Sequence, residues 1–140
     1  MNDNNLHISD IETELTGLLS GYPEIAFAYL FGSRVSGKAT MNSDVDIALY
    51  FNEGQLPVMD QLLGLEDRMT SHLGQEVDIL VLNSATPVIR MQVLKNGKRI
   101  LENNRRAYIR FFIKTVNEYD CLKRVRQVNE RNILKGRIYG

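Results

Sequence analysis

Phe31-Gly32-Ser33-Arg34, followed by Asn42-Ser43-Asp44-Val45-Asp46-Ile47, is the stretch on which the reading of this chain turns. The segment leading into it, Ile25 to Phe31, is apolar and rich in aromatic residues, with turn formers on both sides. That pattern predicts a buried strand. Gly32 to Ser43 is small and polar, with Gly37 inside it, and predicts a short helix and then a loop. Val45 to Phe51 alternates: Val45, Ile47 and Leu49 fall on one face, and Asp44, Asp46 and Ala48 on the other. A strand whose second face carries carboxylates is the simplest reading.

Those residue types suit the transfer of a phosphoryl or nucleotidyl group, which depends on positioning and charge stabilisation. Asp44 and Asp46, at i and i+2 on a strand, leave the same face roughly 6–7 Å apart at the backbone. Flexible carboxylates at that separation can converge on a pair of divalent ions, and magnesium favours such oxygen ligands together with phosphate oxygens. A third acid on a neighbouring strand would complete the set. Asp78, within the alternating run Glu76 to Leu82, is the candidate, because it shares that face if the two strands pair. At the other end of the motif, Gly32 lets the backbone approach a phosphate closely. The amides that follow, opening a short helix, would point at the anion, and the Ser33 hydroxyl can donate to it. Arg34 and Lys38 are candidates for adding positive charge near the terminal phosphates.

The elements on either side complete the fold. Ser9-Asp10-Ile11-Glu12 has the form of a capping box, and Ile11, Leu15, Leu18 and Leu19 recur at helical spacing until Gly21-Tyr22-Pro23. Leu56 to Leu73 predicts an amphipathic helix closed by Gly74. Pro87 suits the first turn of a helix running to about Lys95, with Asn96-Gly97 as its stop. Lys98 to Glu102 predicts a short edge strand. From Arg105 onward Tyr108, Phe112, Val116, Tyr119, Leu122 and Val125 recur three or four residues apart, predicting a long amphipathic helix with a basic outer face. The order is helix, strand, short helix, strand, helix, strand, helix, short strand, helix. This is an α/β domain with a small mixed sheet covered by helices.

A length of 140 residues favours a single domain over residues 1–140, with a core at about 8–102 and a basic helical tail at 103–140. No apolar run approaches a membrane span, and the polar start has no signal-peptide order. A lone cysteine, Cys121, fits a reducing compartment, so a cytoplasmic location is expected. The formal net charge of zero hides an asymmetry. Residues 1–102 hold seven Lys/Arg against fourteen Asp/Glu, and residues 103–140 hold ten against three. A basic tail on an acidic body fits either a contact with an acidic partner or phosphates, or a solvated helix that offsets its own domain's charge.

Gly32-Ser33, ten residues, Asp44, one residue, Asp46 resembles the signature of the DNA-polymerase-beta-like nucleotidyltransferase superfamily. Within it, the wording around Phe31–Arg34 and Asn42–Ile47, and the short length, resemble the minimal nucleotidyltransferases. These are antitoxins of toxin–antitoxin pairs whose toxin is a HEPN-domain protein. The resemblance spans roughly residues 8–102. It implies that Gly32 and Ser33 hold the triphosphate of ATP, and that Asp44 and Asp46 bind two magnesium ions. It further implies that Asp78 binds the catalytic ion and helps deprotonate the acceptor hydroxyl. The activity implied is transfer of AMP to a tyrosine of the HEPN ribonuclease partner, which silences it. The run Val35-Ser36-Gly37-Lys38 departs from the more arginine-rich loop of many relatives, which leaves the contact to the terminal phosphates open.

Two other functions compete with this one. A nucleotidyltransferase acting on a small molecule such as an aminoglycoside would need a further domain or a dimer groove for its acceptor. An antitoxin acting by binding alone would have no use for an intact acid set, since close like charges are costly without a metal. A polymerase role and direct nucleic-acid binding are not expected, as no template-binding domain follows. His7 and His72 have no partner at ligand spacing, and nothing marks Tyr139 for modification. Cys121, with no histidine near it in sequence, is expected as a small buried hydrophobe and not a nucleophile. For Tyr108, Phe111, Phe112 and Tyr119, packing on the sheet is favoured over a partner groove.

Overall fold

The computed structural model describes residues 8–32 and 44–139. Among them the elements run α1 (Ile8–Leu19), β1 (Ile25–Phe31), β2 (Val45–Phe51), α2 (Met59–Leu73), β3 (Val77–Val81), α3 (Pro87–Asn96), β4 (Lys98–Glu102) and α4 (Arg105–Tyr139). The four strands form one sheet in the order β3-β2-β1-β4. β1 is antiparallel to both β2 and β4, and β2 is parallel to β3. The expected mixed sheet and the edge position of β4 are both present. The short helix expected after Gly32 lies outside the described residues.

Strand alternation divides the core into two layers. On one face Leu30, Val45, Ile47, Leu49 and Val77 pack against Ile11, Leu15 and Leu19 of α1 and Leu65, Met69 and Leu73 of α2. On the other, Phe27, Tyr29, Ala48 and Leu82 pack against Val93 of α3 and Phe111 of α4. Phe27 is the hub of this second layer. It is fully buried, its ring lies stacked 5.0 Å from Tyr50, and it meets Tyr108 and Phe111 edge-on at 5.2 and 5.0 Å. Phe27→Ala is expected to cost about 3–5 kcal/mol of stability in denaturant unfolding, because the surrounding rings cannot collapse into the void.

Polar ties fix the helices to the sheet. Arg90 is buried on α3 and donates from Nε to the Leu82 carbonyl (2.9 Å) and from Nη2 to the Asn83 carbonyl (2.8 Å). Asn83 itself bridges the end of β2, accepting from the Phe51 amide and donating to the Phe51 carbonyl. Thr86 caps α3 by accepting from the Ile89 amide, with Pro87 in the first turn, as the sequence predicts. Gly74 closes α2 in the left-handed conformation (φ 68°).

Three expectations need correction. α1 already includes Ile8, so Ser9 is a first-turn residue and not the cap. α2 begins at Met59, not Leu56, because Val58 upstream is still extended. The aromatic stripe of α4 does not all pack on the sheet. Phe111 and Thr115 are the buried positions, while Phe112 is 45% and Leu122 42% exposed. Phe112 lies about 100° around the helix from the buried Phe111, and so on another face, whereas Leu122 belongs to the stretch from 120 to 132 in which every residue is exposed.

Candidate active site

The acids gather at one end of the sheet, on the face that α3 and α4 cover further along. In the register, Phe31 of β1 stands opposite Asp46 of β2, and Asp46 stands beside Asp78 of β3. Cross-strand neighbours project to the same side, so Asp46 and Asp78 share a face. The strand pairing on which their shared face depends does form, and it is parallel. It is anchored at its start by the Val45 amide, which donates to the Glu76 carbonyl at 2.9 Å. The apolar partners Val45, Val77 and Ile47 point into the opposite layer and hold the register. A slip by one residue would bury the carboxylates.

Asp44 and Asp78 are exposed, whereas Asp46 is half-buried between them. Burial first, and then the charges of Asp78 and Asp44, raise the proton affinity of Asp46 above that of an ordinary carboxyl. Like charges held in a partly desolvated place favour either a proton or a cation. Among the described residues, no three acid, histidine or cysteine side chains already stand together around a single point. The donors, all hard carboxylate oxygens, are of the kind that magnesium or calcium takes.

Gly32 completes the arrangement. Its φ is +87°, and a Cβ there would lie 2.3 Å from Oδ2 of Asp46 and 3.1 Å from its Cγ. Only glycine lets the backbone leaving β1 pass directly over the carboxylate. Ser33, Arg34 and Lys38, the other expected phosphate contacts, lie outside the described residues. Bordering Gly32 is an open cleft of about 540 Å³, lined by Phe31, Gly32, Ile89, Gln92, Val93, Lys95 and Asn96. The α3 residues in this lining were not picked out by sequence reasoning. No local signal marks them, because only the packing of α3 across the end of β1 brings them to Gly32.

Matches to known proteins show the family. The family model described as polymerase beta, nucleotidyltransferase matches residues 13–106, a span that contains Gly32 and all three acids. The chain belongs to the polymerase beta nucleotidyltransferase family. The protein adenylyltransferase MntA of Shewanella oneidensis is 31% identical over 112 residues, covering 79% of this chain and 77% of that protein. A crystal structure described as a toxin-antitoxin with AMP-PNP superposes with a TM-score of 0.72 at 29% identity, covering 88% of this chain and 98% of the other. A structure of a tri-AMPylated Shewanella oneidensis HEPN toxin in complex with its MNT antitoxin matches at a TM-score of 0.67 and 26% identity, covering 89% of this chain and 96% of that one. The fold is thus shared with chains from toxin–antitoxin structures, one of them described with AMP-PNP.

His72 is an exposed surface residue, as expected, and pairs with Glu14 of α1. Cys121, expected as a small buried hydrophobe, is instead exposed, because nothing among the described residues packs against its stretch of α4. His7 lies outside the described residues. Among the described residues no helix is long and apolar enough to cross a membrane.

Proposed function

We propose that this chain is an antitoxin that transfers AMP from ATP to a tyrosine hydroxyl of a HEPN-domain ribonuclease toxin and thereby neutralises it. The observation that carries the reading is the placement of Asp46 between Asp44 and Asp78, with Gly32 pressed against its carboxylate. The likeness to adenylyltransferases and to antitoxins bound to HEPN toxins supports the choice of substrate and partner.

In this reading Asp44, Asp46 and Asp78 would together hold two magnesium ions. Bound magnesium would supply charge neutralisation for the triphosphate and a lowered pKa for the attacking hydroxyl. The backbone at Gly32, with Ser33, receives the phosphates, and Arg34 and Lys38 add positive charge to the terminal ones. Asp78 takes the proton from the tyrosine hydroxyl. The tyrosine oxygen then forms a bond to the α-phosphorus, the bond to the bridging α–β oxygen breaks, and pyrophosphate leaves. The single exposed cysteine fits a cytoplasmic protein.

The test is label transfer to a purified HEPN partner. Label from ATP marked at the α-phosphate should appear on the partner, and label at the γ-phosphate should not. Transfer from the γ position would make the chain a kinase and overturn the reading. Asp78→Asn should lower the rate on the order of 10²-fold or more while the ATP complex still forms, because it removes the proton acceptor and one ion ligand.

A further inference from the structure

The first half of α4 packs on α3 and on β1, with Phe111 and Thr115 both buried. Beyond Tyr119 the support ends: every residue from 120 to 132 is exposed. The apolar line does not end with it. Leu122 and Val125 continue the buried line of Phe111 and Thr115 at helical spacing, and are 42% and 51% exposed; Val128 is 53% exposed. A helix that carries an apolar stripe but nothing to pack on is marginal by itself in water, since helices draw most of their stability from such packing.

Charge and position narrow the occupant. The projecting stretch carries Lys123, Arg124, Arg126 and Arg131 against Asp120 and Glu130. Two copies laid along each other by this stripe would bring like cations together, whereas an acidic rim would be attracted. The stretch also starts beside the active site. Nζ of Lys95 lies 5.7 Å from the centre of the Tyr119 ring, and Lys95 lines the cleft that borders Gly32.

We propose that the projecting half of α4 is the docking element for the protein that receives AMP, and that this partner offers an apolar groove edged by acidic residues. The identity of the partner rests on the adenylyltransferase reading; the docking surface does not depend on the chemistry. Gripped here, the partner is held at the mouth of the cleft, and its acceptor hydroxyl is brought to the acids by tethering rather than by a pocket of its own. Such tethering would raise the effective concentration of the acceptor hydroxyl at the acids.

Two full-length variants test this: Leu122→Asp/Val125→Asp, which spoils the apolar stripe, and Lys123→Glu/Arg126→Glu, which reverses the charge. All four side chains are exposed, so both chains should keep wild-type helix content and melting temperature. Against the HEPN partner, each should raise the dissociation constant and the KM for the partner by about 10-fold or more. Affinity for ATP, and kcat at saturating partner, should stay within about two-fold. Unchanged partner affinity in both variants overturns the proposal. So does loss of a wild-type homodimer in the variants with partner affinity intact, which would assign the stripe to contact between copies. A wild-type chain that binds the partner through this stripe but transfers no AMP would sink the proposed reaction and leave the docking surface standing.

Discussion

Asp46→Asn is expected to abolish nucleotidyl transfer, by on the order of 10³-fold or more, in a chain that folds at least as well as the wild type. Both halves follow from one placement. Asp46 is half-buried between Asp44 and Asp78, and in the proposed reaction it would hold the cations against the phosphates. In the absence of metal the same placement is unfavourable. Burial and the two neighbouring charges raise its proton affinity, so the folded chain binds this proton more tightly than the unfolded one. A carboxyl of raised pKa contributes less to stability as pH climbs through the interval above its ordinary value. Asparagine removes that loss. In chelator, the variant should therefore melt at or above the wild type at neutral pH, by on the order of a few degrees, with the difference shrinking as pH falls into the acid range. Magnesium should raise the melting temperature of the wild type and leave that of the variant nearly unchanged. A variant that melts far below the wild type in chelator would mean that Asp46 is a structural residue.

Gly32→Ala should be nearly as damaging to activity, for a different reason. The added carbon would lie 2.3 Å from Oδ2 of Asp46, at a backbone φ of +87° that side chains avoid. Left-handed backbone at a non-glycine residue costs about 1–2 kcal/mol, and the clash must be relieved by moving either the turn or the carboxylate. A displacement of about 1 Å at a reacting centre can cost on the order of 10²-fold in rate. Urea unfolding and AMP transfer measured on the same preparation would separate the two effects. Full activity with a loss of stability would show that the turn matters only to the fold.

Much of the fold was readable because it rests on simple periodicities. Val45, Ile47 and Leu49 alternate with the acids, and Val77, Ile79 and Val81 do the same around Asp78. One-sided burial then forces the register that sets Asp46 beside Asp78. Strand alternation carries both structure and site, so the acids and Gly32 could be found together. The α3 lining of the cleft could not. Gln92, Lys95 and Asn96 reach Gly32 only through tertiary packing, and their spacing on α3 records nothing of it. The stripe of α4 misled for a related reason. Helical periodicity says which residues share a face, but not whether a sheet is long enough to cover them, and Leu122 and Val125 run on past its edge. Pro87 was a true sign of a helix start because its ring acts locally, and the Thr86 cap beside it was not singled out in the sequence. The Ser9 box was not, since the helix is already under way at Ile8.

The most direct test of the central claim is the intact mass of the HEPN partner after incubation with this chain, ATP and magnesium. The account predicts a gain of whole AMP units, lost when chelator replaces magnesium and lost with the Asp44→Asn/Asp46→Asn chain even though the complex still forms. An unmodified partner in a stable, neutralised complex would contradict it and make binding alone the mechanism.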